Sequence, residues 1–255
     1  MEECRNEMPK EREIRKMHHN FLFDLDQTLL DFHASEKKAL EIVIRKSGLK
    51  YSDECYRHFK EYNKSLWLEL EKGTISRTEL FVRRFTDLFG FCKGDASHLD
   101  PLKVNDEFIL TMSQNGVLLE GALEFLKKLK ANIPDSRCYV VSNGATVNAE
   151  GRIRSTGLAP YFEKIYVSEW MGVDKPAKGF FDIVLEGVAE PKERCIVIGD
   201  SLTSDMLGAK NASLTSVWFQ PKGDIEAARK TYEIDYCASS FEELYEVLKN
   251  WASEV

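Results

Sequence analysis

Four short stretches hold residue types that could do chemistry together. Asp24 and Asp26 stand directly behind the apolar run of "FLFDLDQTLLDF", residues 21–32. Ser142-Asn143-Gly144 follows the apolar "RCYVV", Lys175 lies in "GVDKP", and Asp200 and Asp205 lie in "CIVIGDSLTSD". Each has an ordinary reading when taken alone. Asp26, Thr28 and Asp205 could cap a helix or turn. Ser142-Asn143-Gly144 could be a simple turn, and Lys175 a solvated lysine. Together they suggest more. A carboxylate behind a buried strand costs free energy unless its charge is offset. A buried acidic trio without counter-charge would be strongly destabilising, whereas a trio around Mg²⁺ would be coherent.

These residues need elements that bring them to one place. The apolar runs at 21–23, 138–141, around 165–167, 195–198 and 214–219 are bounded by turn residues and alternate with helical patterns. That alternation predicts a mainly parallel α/β sheet covered on both faces. Ligands bind such sheets at the carboxyl ends of the strands, and the four chemical stretches sit at or just beyond predicted strand ends. From about residue 34 to 114 the pattern is helical throughout. Glycines at 48 and 73 close two helices, and Ser76 with Glu79 forms a capping box for a third. The helical block interrupts the α/β unit right after its first strand and reads as a lid. The expected organisation is a charged leader over 1–19, a core over 20–32 and 114–255, and a helical cap over 33–113.

Composition narrows the partners. With a formal net charge of −7, the chain is not expected to bind a nucleic-acid polymer. A phosphorylated small molecule would need local positive charge from a metal or a placed lysine. Six cysteines are scattered without a C-x-x-C pair, which signals neither zinc nor a redox motif. No apolar run is long enough for a membrane span, and the start lacks a signal-peptide segment. A cytoplasmic protein is expected, with His18 and His19 read as part of a solvated leader.

The motifs resemble the haloacid dehalogenase (HAD) superfamily of phosphatases: "DLDQT", "VVSNG", the lysine of "DKP", and "GDSLTSD", in that order. The insertion resembles the family's C1 helical cap. "FDLDQTLLDF", "SEWMGVDKP" and "GDSLTSDMLGA" are similar to the subgroup of pyrimidine 5′-nucleotidases and house-cleaning nucleotide phosphatases. The resemblance implies a Rossmann-like HAD core. Asp24 would be the nucleophile and Asp26 the general acid and base. Mg²⁺ would be held by Asp24, Asp200, the Asp26 backbone carbonyl and, directly or through water, Asp205. Ser142, the Asn143 amide and Lys175 would bind the transferring phosphoryl oxygens. Phe32, His33, Asn63 and Trp67 are cap candidates for contacting the rest of the substrate. The implied activity is hydrolysis of a small phosphorylated metabolite, a nucleoside 5′-monophosphate in particular. A phosphosugar phosphatase of the acylneuraminate phosphate type, a phosphomutase and a non-catalytic binding module are the alternatives. The oligomeric state is left open.

Overall fold

The structure is a computed structural model that describes residues 18–255. Its sheet has six strands: β1 (His19–Phe23), β2 (Ser136–Ser142), β3 (Lys164–Val167), β4 (Cys195–Gly199), β5 (Thr215–Phe219) and β6 (Tyr236–Ala238). They run parallel in the order β3-β2-β1-β4-β5-β6. The chain therefore builds outward from β1 on one side, then returns to β4 and builds outward on the other. Strand order reverses at β1, and the crevice beyond its carboxyl end is where such sheets bind ligands.

Helices follow in chain order. The insertion after β1 contributes α1 (Phe32–Lys46), α2 (Asp53–Glu71), α3 (Arg77–Phe91) and α4 (Pro101–Gln114). The core adds α5 (Ala122–Asn132), α6 (Thr146–Ser155), α7 (Ser168–Met171), α8 (Lys178–Val188), α9 (Leu207–Ala212), α10 (Ile225–Tyr232) and α11 (Phe241–Glu254). This is an α/β parallel core carrying an inserted helical cap, the architecture that the resemblance implies. No helix among the described residues is long and apolar enough to cross a membrane.

Side-chain alternation along β1 explains the two covered faces. Phe21 and Phe23 join Phe125 and Leu129 of α5 and Leu244, Leu248 and Trp251 of α11. Leu22 points the other way, into a cluster with Phe180, Phe181 and Val184 of α8 and Ala209 of α9. Cys138 and Cys195 are buried in these layers, and burial pushes both thiols up to about 12, as suits inert core residues.

The cap has its own core. Phe59, Phe85 and Phe108 meet with ring centroids 5.6 Å apart, surrounded by Leu40, Val43, Leu88 and Met112. Ser76 and Glu79 form the expected capping box at the start of α3. The cap rests on the core along α4 and α6. The seam is tight there: a Cβ on Gly151 would lie 2.4 Å from that of Ser113.

Several local readings change. Helix α1 starts at Phe32, earlier than its apolar pattern, because Asp31 caps it by accepting from Ala34 N at 2.9 Å. Helix α4 starts at Pro101, with Asp100 as cap. Strand β3 stops at Val167, and Ser168 begins the short α7. Helix α10 buries only Ala228, too little apolar surface to register as a periodic pattern. His19 is not leader: it opens β1 opposite Ser136, while His18 Nδ1 lies 3.1 Å from Glu190. Residues 1–17 of the expected leader lie outside the described residues.

Candidate active site

The site is built around a buried ammonium. Lys175 is 1% exposed, and its Nζ donates to Asp24 Oδ1 at 2.8 Å, Asp205 Oδ1 at 2.6 Å and the Val141 carbonyl at 2.7 Å. All three of its N–H donors are thus used. Burial alone would depress its pKa, but the carboxylates of Asp205 and Asp24 outweigh that and raise it above the ordinary lysine value. The Asn143 side chain fixes this arm reciprocally, accepting from Lys175 N at 2.8 Å and donating to Lys175 O at 2.7 Å.

Each carboxylate is placed by a strand end. Asp24 follows β1, and its backbone N–H donates to Ile198 O of β4 at 2.8 Å. Asp200 follows β4, and its carbonyl accepts from Trp218 Nε1 at 2.9 Å. Asp205 sits in a single wide π-turn at Leu202–Met206, fully buried, and its Oδ2 accepts from Ser201 N at 3.1 Å. Gly199 makes room for it, since a Cβ there would lie 2.3 Å from the Asp205 carboxyl. Ligand atoms of Asp24, Asp200 and Asp205 lie within 4.8 Å of one another.

That cluster is short of positive charge. Burial, partly offset by Lys175, raises Asp24 well above the usual carboxylate range. Asp200 is pushed up to about 7, by burial first and then by Asp205 and Asp26. One lysine cannot neutralise three carboxylates, and the donor set is entirely oxygen. Both facts suit a hard divalent cation. Asp205 already spends both oxygens on Lys175 and Ser201, so Asp24 and Asp200 are the freer donors.

Asp26 faces differently. Its carboxylate is outside the trio and makes a two-pronged ion pair with Arg152 of α6, with Nη2 3.0 Å from Oδ2 and Nη1 bonded to Oδ1. Arg152 is 2% exposed and lies 5.7 Å from the Phe32 ring. Sequence reasoning missed it. The signal was its spacing: with Ala149 and Ile153 it shares the buried face of α6.

Above these groups lies a cavity of about 940 Å³ between core and cap. Asp24, Asp26, Ser142, Asn143, Lys175, Asp200 and Asp205 line it from the core, and Phe32, His33, Asn63 and Trp67 from the cap. The sequence-derived candidates thus share one space. Glu36, Arg77 and Arg84 line it as well and were not anticipated. Arg77 of α3 reaches down to the core, donating to Gly144 O and Ser168 Oγ at 3.2 Å and to Asp174 Oδ1 at 2.7 Å. It also lies 5.8 Å from the Trp67 ring.

Residues 19–213 match the family of haloacid dehalogenase-like hydrolases. The chain belongs to that family. Among HAD-like relatives it is 31% identical to the HAD-hydrolase YfnB of Bacillus subtilis, covering 91% of this chain and 96% of the relative. It is 34% identical to the pyrimidine 5′-nucleotidase PynA of Streptococcus pneumoniae, covering 84% and 89%. The pyrimidine 5′-nucleotidase YjjG of Escherichia coli is 30% identical, covering 79% and 88%. The crystal structure of YfnB bound to magnesium superposes with a TM-score of 0.80, covering 91% of this chain and 99% of that one. A solved dehalogenase at 14% identity, TM-score 0.66, shares the fold. This HAD-like chain is accordingly a hydrolase of the phosphatase type, with an aspartate cluster suited to a divalent metal.

Proposed function

We propose that this enzyme hydrolyses nucleoside 5′-monophosphates, with Mg²⁺, through an aspartyl-phosphate formed on Asp24. The observation that carries the phosphatase half is Asp26. It lies two residues beyond Asp24, lines the same cavity and is held in a fixed orientation by Arg152. A phosphate ester needs a proton delivered to its leaving oxygen, whereas a halide leaves without one.

Asp24 Oδ attacks phosphorus and the bond to the leaving oxygen breaks, while Asp26, protonated and with one oxygen released from Arg152, donates its proton to that oxygen. Asp26 then takes a proton from water as that water attacks the aspartyl-phosphate, and inorganic phosphate leaves. Lys175, exchanging its bond to Asp24 for one to substrate, would stabilise the phosphoryl oxygens together with the Ser142 hydroxyl and the Asn143 backbone amide. Asp24, Asp200 and Asp205 would hold Mg²⁺, which when bound would supply the charge that lets an anionic carboxylate approach an anionic phosphate. Lys60, Lys64 and Arg77 line the cavity, giving an acidic protein local positive charge where a dianion enters.

The nucleotide half is supported by the aromatic lining from Phe32, Trp67, Phe81 and Phe108 and by the similarity to two proteins named pyrimidine 5′-nucleotidases. The test is kcat/KM across nucleotides and sugar phosphates with Mg²⁺, and again after chelation. Nucleotides are expected to lead and chelation to abolish turnover. A sugar phosphate ahead of every nucleotide would move the enzyme to the phosphosugar class. Full activity in metal-stripped protein would overturn the mechanism.

A further inference from the structure

The cap buries a carboxylate and a guanidinium that do not touch each other. Glu36 of α1 is 1% exposed and Arg84 of α3 is 4% exposed, and both line the cavity. Asn63 of α2 bridges them, donating Nδ2–H to Glu36 Oε1 at 3.1 Å and accepting from Arg84 Nη1 at 3.3 Å. The remaining Arg84 contacts are two hydrogen bonds to Asn105 Oδ1 and the faces of Phe81, Phe85 and Phe108, 4.9–5.5 Å away. Three of the guanidinium's five N–H groups go to asparagine oxygens, and among the described residues none goes to a carboxylate. Among the described residues Glu36 likewise receives only neutral or weakly placed donors: Asn63, Tyr56 Oη at 3.3 Å and His33 Nδ1 at 3.9 Å.

Burying two opposite charges is costly, and direct pairing is the usual remedy. Keeping them apart on an amide spacer does something pairing would not. It leaves an acceptor and a donor on either side of one amide, both with unused capacity, on the wall of an aromatic cavity. Their charges balance, so this end of the cavity does not suit a second phosphate or a carboxylate. It suits a flat neutral ring whose edge carries an N–H next to a carbonyl or ring-nitrogen acceptor.

We propose that Glu36 and Arg84, spaced by Asn63, read the hydrogen-bonding edge of the nucleobase, with Glu36 accepting its N–H and Arg84 donating to the neighbouring acceptor. The inference rests on the nucleotide reading above and deepens it to named atoms. A site built to hydrogen-bond a ring N–H rejects analogues lacking it, because its own buried groups are left unpaired.

The test changes the substrate first. With Mg²⁺ present, kcat/KM is measured for uridine 5′-monophosphate, its 3-methyl derivative and ribose 5-phosphate, on the full chain and on Glu36→Gln, which keeps shape but loses the charge-assisted bond. The intact protein is expected to favour uridine 5′-monophosphate over ribose 5-phosphate, and methylation at N3 to lower kcat/KM at least tenfold. Glu36→Gln is expected to lower the uridine-to-ribose ratio at least tenfold and the 3-methyluridine-to-ribose ratio by much less. If the intact protein favours the uridine nucleotide but the 3-methyl derivative matches it, base reading by Glu36 is overturned and the nucleotide reading stands. If ribose 5-phosphate matches uridine 5′-monophosphate, the nucleotide reading itself fails. The substrate arm decides the matter even if the variant does not fold.

Discussion

The floor and the roof of the cavity handle buried charge in opposite ways. On the floor, Lys175 contacts Asp24 and Asp205 directly, and Arg152 grips Asp26 with two bonds. In the roof, Glu36 and Arg84 are held apart by Asn63. The floor gathers more carboxylates than cations, which suits a metal and a transferring phosphoryl group of fixed shape. The buried pair of the roof balances its charges and leaves both half-used, which suits a leaving group identified by its edge. Direct pairs fix reacting groups in place. Spaced pairs keep capacity for a partner that arrives later.

Breaking the floor should cost most. Asp24→Asn removes the nucleophile and weakens the metal site while keeping shape. Turnover should fall by about a thousandfold or more, with the circular dichroism spectrum unchanged. Retention of a few per cent of activity in a clean preparation would dismiss Asp24 as nucleophile. Asp26→Asn comes next. It should slow phospho-enzyme formation by about a hundredfold or more for nucleotides, and less for aryl phosphates, whose leaving oxygens need little protonation. Equal losses for both classes in single-turnover experiments would argue against the acid role.

Loosening the join between floor and roof should cost less. Arg77→Ala removes the three bonds from α3 to the core loops. We expect kcat/KM for nucleotides to drop about tenfold and limited proteolysis of the cap to quicken, because closure both excludes water and completes the site. An unchanged digestion rate would assign closure to other contacts. The smallest expected effect on chemistry is at the seam. Gly151→Ala would push a methyl into Ser113 of α4, and overpacking of this kind costs about 1–3 kcal/mol. A lowered Tm with kcat for aryl phosphates within a fewfold would show that the seam carries stability. No change in Tm would show that α4 shifts freely on α6.

The floor was far more legible in the sequence than the roof, for a physical reason. Strand ends are marked by apolar runs that stop at a polar residue, so Asp24, Ser142 and Asp200 announce their position and their shared face. Helical charges carry no such mark. Glu36, Arg77 and Arg84 were not singled out, because a charge on a helix is most often solvated. Arg84 could have been found from spacing alone. Leu80, Arg84 and Leu88 fall at four-residue intervals on one buried face of α3, and a charge within such a row is a candidate for function. Asn63 was singled out because an amide suits a nucleoside. Its bridging role needed the third dimension.

The central place of β1 has a consequence for how the enzyme comes into being. Asp24 and Lys175 are 151 positions apart, and β1 finds its neighbours β2 and β4 only after the cap has been made. At roughly 5–20 residues per second of synthesis, about eight to thirty seconds separate the nucleophile from its lysine on the ribosome. The cap, whose contacts lie within one continuous stretch, can assemble during that wait, whereas β1 remains an apolar strand without partners. The first strand made thus waits through the longest stretch of chain for its second neighbour. Aggregation during expression should therefore trace to residues 19–23 more than to any feature of the finished enzyme, and a chaperone that shelters that segment should raise the yield of active protein.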